Sequence, residues 1–204
     1  NNAISGVDQA LWDIKGRMAG MPVYQLAGGK CREAVDTYAH ADGKEIDDVI
    51  KAAKTYMSQG WRHVRVQVSL PGMAGYGSAH GNSVDSFKPL TTKPLFEPAY
   101  QFRRGLDLLQ EARKQLGDEV ELLHDMHERL TPNEAVEFCK RAEPLRMFFL
   151  EDPLSPEDLA YFRQIRQNCA TPIAMGALFN SPHEWQPLID ERLLHLVQVV
   201  ERLV

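Results

Sequence analysis

The chain has 204 residues, of which 44% are hydrophobic and 25% charged, so its composition is that of an ordinary globular protein rather than a disordered or fibrous one. Its formal net charge of -5 comes from interleaved acidic and basic residues, which argues against a nucleic-acid partner, and no apolar run is long enough to cross a membrane. The cysteines Cys31, Cys139 and Cys169 are odd in number and lack CxxC spacing, which argues against a disulfide scaffold or a zinc site and favours a cytoplasmic protein.

The first predicted element is an amphipathic helix. Apolar residues recur at steps of three and four near the start of the chain, which predicts a helix with one buried stripe. The stripe consists of Ile4, Val7, Leu11, Ile14 and Met18. Because no element precedes the helix to cover this stripe, we expect the chain to be part of a longer protein.

After Gly28 and Gly29, short runs rich in β-forming residues alternate with helical runs. The predicted strands cover residues 35–40, 63–68, 121–127, 147–152, 172–178 and 193–200. The predicted helices between them cover residues 45–58, 99–116, 132–143, 155–167 and 182–191. Alternation of this kind predicts an α/β fold with a parallel sheet.

Two parallel architectures fit this alternation, an open doubly wound sheet and a (β/α) barrel. A nucleotide-binding open sheet would carry a glycine fingerprint after its first strand, and the sequence has none. A (β/α) barrel closes with eight strands in about 250 residues. With about six strands predicted, we expect an incomplete barrel.

Residues 69–98 interrupt the alternation and are predicted to hold no regular element. A structureless segment of this length is usually a functional lid or a disordered linker. The aromatic and histidine side chains of Tyr76, His80, Phe87 and Phe96 favour a lid.

Acidic residues end two successive predicted strands. Asp125 ends one strand and Glu151 ends the next, a separation of 26 residues (125 to 151) that suits one strand–helix–strand repeat. A second step of the same length leads to Ala177. Since the carboxyl ends of barrel strands meet at one mouth, we expect these three positions around a common point. Carboxylate oxygens held there are suitable ligands for Mg²⁺.

His127 follows Asp125 by two residues, and the strand period of two predicts that both side chains point to the same side. An imidazole above the metal is suited to deliver a proton as a general acid. Taken singly, each acidic residue is more often a cap or a solvated loop residue, and His127 is equally well explained as a loop histidine. The joint pattern favours the metal site.

Several segments resemble a known family. Three of them resemble the metal-binding strands of mannonate dehydratase-like enzymes of the enolase superfamily: LLHDMHERLTP (122–132), FFLEDPL (148–154) and MGALFNSPHEW (175–185). A fourth, AISGVDQALWDIKGRMAGMPVYQLAGG (3–29), resembles the helix that joins the family's capping domain to its barrel. The resemblance implies that residues 1–30 end a capping domain and that residues 31–204 form a partial barrel with a lid-like insertion at 69–98.

The resemblance also implies roles for individual residues. Asp125 and Glu151 correspond to metal ligands, and His127 corresponds to a general acid that also contacts substrate. Arg65 and Tyr76 match an Arg–Tyr pair that abstracts the proton next to the substrate carboxylate. His40 matches a histidine that contacts substrate.

Two positions depart from the family pattern. Ala177 stands where the family has Glu as its third metal ligand, and a methyl group cannot bind Mg²⁺. Gln198 stands where the family usually offers an Arg to the substrate. Both changes remove charge from the same mouth.

Three hypotheses follow. The first is a Mg²⁺-dependent lyase that dehydrates sugar acids such as D-mannonate or D-gluconate, and that forms homo-oligomers as the family commonly does. The second is a catalytically impaired relative that binds or regulates, motivated by Ala177 and Gln198. The third is an engineered or shortened form of an active enzyme, since Glu→Ala at a ligand is a common laboratory change.

Overall fold

The predicted alternation of strands and helices is present in a computed structural model, which describes residues 2–71, 73–74, 77–78, 97–177, 179 and 181–197. The helices are α1 (Asn2–Ala19), α2 (Val23–Leu26), α3 (Ile46–Ser58), α4 (Pro98–Leu116), α5 (Pro132–Ala142), α6 (Leu159–Asn168) and α7 (Pro182–Asp190). The strands are β1 (Ala39–Gly43), β2 (His63–Val68), β3 (Met73–Ala74), β4 (Gly77–Ser78), β5 (Glu121–Asp125), β6 (Phe149–Glu151), β7 (Ile173–Met175) and β8 (Leu196–Val197). None of the helices in these ranges is both long and apolar enough to cross a membrane.

Six of the strands form one sheet in the order β1-β2-β5-β6-β7-β8, and every neighbouring pair is parallel. Helices α3 to α7 lie in sequence between these strands, one in each connection. Because neighbouring strands run in the same direction, their carboxyl ends lie along one edge of the sheet. Asp125 and Glu151, the last residues of β5 and β6, lie at that edge.

The boundaries of the predicted strands differ from the observed ones. The first strand is displaced to Ala39–Gly43, since its backbone pairs with β2 only from Ala39 onward. The strand predicted for 121–127 ends at Asp125, where the ladder with β6 also ends. The segment 69–98, predicted to hold no regular element, contains the short antiparallel pair of β3 and β4.

Apolar side chains cover both faces of the sheet. On the helix side, Val64, Leu122 and Leu150 join the main core with residues of α3 to α6. On the opposite side, a smaller cluster contains Leu123, Phe149 and Ala174. Strands buried on both faces explain the continuous apolar run of residues 147–150.

Helix α1 is confirmed, but the prediction that its apolar stripe is buried is wrong for the described residues. The exposed fraction of the stripe ranges from 52% at Ile14 to 84% at Met18. The helix packs against α2, which has only four residues and cannot cover a stripe that runs over most of an eighteen-residue helix.

Candidate metal and acid–base site

The two predicted carboxylates lie side by side at the carboxyl ends of β5 and β6. Asp125 and Glu151 are register partners in the parallel ladder. Asp152 follows directly, and one carboxylate oxygen from each of the three residues lies within 4.8 Å of the others. Their exposed fractions are 1% for Asp125, 4% for Glu151 and 1% for Asp152, so the cluster is almost fully buried.

Ala177 does not continue this register. The residue that pairs with Glu151 on β7 is Ala174. Ala177 lies three residues later, in a turn that follows Gly176, and its side chain is partly buried. A step of 26 residues from Asp125 leads to its register partner Glu151, whereas the same step from Glu151 passes its register partner Ala174 by three residues.

Arg65 contacts the cluster from β2. Its Nη1 donates a hydrogen bond to Asp125 Oδ2 at 3.0 Å, and the two side chains are 14% and 2% exposed. Its Nη2 lies 3.3 Å from His40 Nδ1 on β1. Arg65 therefore links the predicted substrate-contacting histidine to the predicted metal ligand.

His127 contacts the same carboxylate. Its backbone N–H donates to Asp125 Oδ1 at 2.8 Å, and its Nε2 lies 3.0 Å from Asp125 Oδ2. The predicted proximity is present, but its reason differs from the predicted strand period. His127 lies beyond the end of β5 in a left-handed conformation with φ of 54°, and this turn brings the ring back over Asp125.

Three residues that are not glycine have positive φ angles around this cluster: His127, Glu128 and Asp152. Backbone hydrogen bonds hold them in this conformation. The N–H of Met126 donates to Glu151 O, that of Glu128 to Asp152 O, and that of Asp152 to Ala174 O. Such conformations cost about 1–3 kcal/mol each and concentrate at functional sites.

The charges around Asp125 keep it ionised. Burial by itself raises the pKa of the Asp125 carboxyl, but the hydrogen bonds from His127 and the positive charge of Arg65 outweigh burial and hold the pKa below its usual value. Partial burial and the charge of Arg65 lower the pKa of His40. A neutral His40 accepts at Nδ1 from Arg65, which leaves its proton on Nε2 as a donor for a ligand.

Glu128 is a titratable neighbour that the sequence did not single out. Its half-buried side chain, together with the negative charges of Glu157 and Asp125, raises the pKa of Glu128 to about 7. The side chain adds to the acidic character of this edge of the sheet.

The cluster fits a small, hard divalent cation. Mg²⁺ holds oxygen ligands at about 2.1 Å in an octahedron, which places neighbouring ligands about 3 Å apart and opposite ligands about 4.2 Å apart. A spread of at most 4.8 Å among Asp125, Glu151 and Asp152 needs inward movements of less than about 1 Å to meet this geometry. Within the ranges that the structure describes, it is the one group of three or more potential metal ligands.

Two of the predicted positions lie outside the described residues: Tyr76, the proposed partner of Arg65, and Gln198, the proposed replacement of a substrate-binding Arg. The predicted lid residues His80, Phe87 and Phe96 lie outside them as well.

Besides Glu128, two residues near the site were not predicted from the sequence. Asp152 follows Glu151 within the segment FFLEDPL, but strict strand alternation would send its side chain to the opposite face. Gln101 on α4 is buried, and its Nε2 donates to Met126 O at 3.1 Å, next to the turn that carries His127. No sequence signal singles out a glutamine in the middle of a helical pattern.

Two family profiles match the chain. Residues 48–200 match the family described as "Enolase C-terminal domain-like". Residues 1–28 match the "Mandelate racemase / muconate lactonizing enzyme, N-terminal domain". The first match covers most of the chain and includes every described residue of the candidate site except His40.

The curated relatives carry names of a sugar-acid dehydratase group. A "D-galactonate dehydratase family member" of Enterococcus gallinarum is 43% identical over 206 residues, which cover 98% of this chain and 49% of the relative. A member of the same family from Pantoea ananatis is 42% identical over 209 residues, which cover 97% of this chain and 50% of the relative. The chain spans about half the length of the curated relatives it matches.

Solved structures share the fold. An enolase from Pantoea ananatis with bound D-gluconate and Mg matches with a TM-score of 0.78 and 38% identity, covering 97% of this chain and 50% of that one. The 3,6-anhydro-D-galactonate cycloisomerase of Zobellia galactanivorans matches with a TM-score of 0.72 and 26% identity, covering 98% and 48%. These matches and the parallel sheet confirm the predicted α/β fold and agree with an incomplete barrel. The chain belongs to the enolase superfamily.

Proposed function

We propose that the protein containing this chain is a Mg²⁺-dependent dehydratase of aldonic acids such as D-mannonate or D-gluconate. The observation that carries the proposal is the convergence of Arg65 and His127 on Asp125, whose carboxylate lies in a buried cluster with Glu151 and Asp152. The names of the curated relatives, and a solved relative described with D-gluconate and Mg, support the substrate class and the metal.

Proton removal is assigned to Arg65 and Tyr76. The guanidinium of Arg65 favours the phenolate of a neighbouring tyrosine, and that phenolate takes the proton from the carbon next to the substrate carboxylate. His40, neutral and donating through Nε2, orients the substrate at the same edge. Bound Mg²⁺, held by Asp125 and Glu151, would stabilise the negative charge that the substrate carboxylate gains as the proton leaves.

Loss of the hydroxyl is assigned to His127. When protonated, its imidazolium carries hydrogen on both ring nitrogens, so Nε2 stays bound to Asp125 while Nδ1 transfers its proton. The electron pair of the broken C–H bond forms the new carbon–carbon double bond as the C–O bond breaks. The hydroxyl leaves as water with the proton from His127, and the enol product tautomerises to a 2-keto-3-deoxy acid.

A second candidate function is a catalytically impaired relative that retains binding. Ala177 favours it, because this residue offers no carboxylate where the family resemblance expects a third ligand. A protein of this kind binds aldonic acids without releasing keto acid. Turnover distinguishes the two functions.

The test is an assay of keto-acid formation from a panel of aldonic acids, with the full protein at saturating Mg²⁺. The variant His127→Asn removes the transferable proton and is expected to lower kcat by about 100-fold or more, the range of general acid catalysis. The matched control His183→Asn changes an exposed histidine in the first turn of α7 and is expected to leave kcat unchanged. If no aldonic acid in the panel yields keto acid, the dehydratase proposal is wrong and the binding relative is favoured.

Further features belong to the same proposal. We place the division between the end of the capping domain and the partial barrel near residue 30. We also propose a cytoplasmic protein that forms homo-oligomers. Size measurement of the full protein in solution tests the last point.

A further inference from the structure

We propose that Asp152 supplies the third carboxylate of the metal site, in place of the glutamate that the family resemblance expects at position 177. The inference rests on the proposed function, since it assigns a ligand to the same Mg²⁺ site. Its geometric basis is that a carboxylate oxygen of Asp152 lies within 4.8 Å of those of Asp125 and Glu151. The side chain is 1% exposed, so it is enclosed with the other two.

The conformation of Asp152 explains how two adjacent residues reach one cation. On a regular strand, successive side chains point to opposite faces, so Glu151 and Asp152 would diverge. Strand β6 ends at Glu151, and Asp152 takes a φ of 42° instead. Its N–H donates to Ala174 O at 3.0 Å, and its carbonyl accepts from the N–H of Glu128 at 2.8 Å. These bonds fix the turn that directs both carboxylates toward Asp125.

The charge of the site favours the same assignment. As ligands, Asp125, Glu151 and Asp152 carry three negative charges, and the guanidinium of Arg65, which contacts Asp125, carries one positive charge. The net charge of minus two that remains is balanced by the two positive charges of Mg²⁺. With this balance, Asp125, Glu151 and Asp152 compensate Mg²⁺ and Arg65 without a further carboxylate at position 177.

Consequently, Ala177 does not identify an inactive protein. A site with three carboxylates and waters is a suitable environment for Mg²⁺, which keeps several waters in its coordination shell. The third ligand comes from β6 instead of from the end of β7.

The test measures metal binding directly, without turnover. Mn²⁺ titration of the metal-free full protein gives a dissociation constant for the parent, for Asp152→Asn and for Asp107→Asn, a matched change of an exposed aspartate on α4. We expect Asp152→Asn to weaken Mn²⁺ binding by at least about tenfold and Asp107→Asn to leave it unchanged. Near-UV circular dichroism of the metal-free proteins reports whether each variant is folded.

A second variant distinguishes a ligand from a residue that only positions ligands. Asp152→Cys places a soft thiolate at the site, and titration with Cd²⁺ is expected to add the charge-transfer absorption of a thiolate–cadmium bond. The parent and Asp107→Cys should lack this increment, so the natural cysteines are controlled for. Coordination by residue 152 is then observed spectroscopically.

Each outcome bears on one of the two proposals. If Asp152→Asn binds Mn²⁺ as tightly as the parent while Glu151→Gln does not, Asp152 is not a ligand and the proposed site remains. If binding weakens but Asp152→Cys gains no absorption with Cd²⁺, Asp152 only positions its neighbours and the inference is wrong. If the parent itself does not bind Mn²⁺, the proposed Mg²⁺ site is wrong and the inference is overturned with it.

Discussion

The Asp125 carboxylate has two roles: it is the ion-pair partner of Arg65, and it belongs to the proposed metal site. Asp125 Oδ2 accepts from Arg65 at 3.0 Å and lies 3.0 Å from Nε2 of His127, in a site where the carboxylate is 2% exposed. A buried charge that loses its partner is strongly destabilising because water cannot replace the contact. Arg65 is therefore expected to stabilise the fold as well as to assist proton removal.

We predict that Arg65→Gln lowers the free energy of unfolding by about 2–4 kcal/mol in metal-free protein at neutral pH, somewhat below the full range for a broken buried pair because His127 still contacts Asp125. Saturating Mg²⁺ should recover part of this loss, since the cation compensates the same carboxylate. Urea unfolding with and without Mg²⁺ measures both effects.

The matched control is Arg62→Gln, three residues earlier. Arg62 lies 3.4 Å from Asp36, but these side chains are 74% and 69% exposed. Exposed pairs contribute about 0–1 kcal/mol. Equal losses in Arg65→Gln and Arg62→Gln would show that burial of the Arg65 pair has no energetic consequence.

Sequence reasoning predicted that Glu151 and His127 lie close to Asp125, as they do, but it did not include Asp152, for a reason at the residue scale. Alternation along a strand is a reliable rule only while the strand continues. The left-handed φ angles of His127 and Asp152 begin where β5 and β6 end, and neither residue is a glycine that would have signalled such a turn. The rule therefore predicted the proximity of His127 and Asp125 for the wrong reason, and it gave no reason to consider Asp152.

At the scale of elements, the 26-residue spacing coincides with the sheet register at one step and not at the next. The 26-residue step pairs Asp125 with Glu151 because strand, turn and helix have the assumed total length there. The following step reaches Ala177, whereas the ladder pairs Glu151 with Ala174. Helix α6 has ten residues, whereas α5 has eleven and is followed by a 3₁₀ turn at Glu143–Leu145, so the two connections are not equivalent. The length of each strand–helix–strand connection depends on how its helix packs on the sheet, and a fixed repeat length in the sequence does not include this information.

Helix α5 begins with a capping box close to the turn that carries His127. Thr131 Oγ1 accepts from the N–H of Glu134, and Glu134 Oε2 accepts from the N–H of Thr131 at 2.9 Å. These bonds satisfy donors that a helix start otherwise leaves without partners. The cap fixes where the loop after β5 ends.

We predict that Thr131→Ala lowers the free energy of unfolding by about 1 kcal/mol, the usual effect of removing an N-cap hydroxyl. The midpoint of urea unfolding should fall while the slope of the transition stays constant. Thr55→Ala is the control, because Thr55 lies inside α3, where its hydroxyl donates to Lys51 O and alanine is the better helix former. A Thr131→Ala protein as stable as the parent would show that the cap does not contribute.

At the scale of the whole molecule, the alternation of strand and helix predicted the parallel sheet, because strands covered on both faces leave long apolar runs. The partner of α1 could not be predicted. An amphipathic pattern specifies a helix and the face to be covered, but it carries no information about the element that covers it. In the described residues, Ile4 and Met18 belong to the apolar stripe of a correctly predicted helix, yet both are exposed.

A buried histidine makes the stability of the whole fold depend on pH. His124 on β5 is fully enclosed, its Nδ1–H donates to Val66 O at 2.8 Å, and its ring stacks on Phe138. Burial lowers the pKa of His124 from 6.5 to about 4, although the hydrogen bond to Val66 opposes the shift. The histidine is therefore neutral in the folded protein near neutral pH.

Because the pKa of His124 is lower in the folded than in the unfolded protein, neutral His124 contributes its full stabilisation above pH 6.5. Between pH 6.5 and about 4, only the unfolded chain takes up the proton. The contribution to stability is therefore lost as the pH falls through this range. We predict that, because of His124, the free energy of unfolding is about 2 kcal/mol lower at pH 5 than at pH 7.5. Urea unfolding at both pH values, with chelator to remove metal, measures the loss. The pH dependence should shrink by this amount in His124→Gln but not in His183→Gln, whose histidine is exposed. An unchanged pH dependence in His124→Gln would mean that the pKa of His124 is the same in the folded and the unfolded protein.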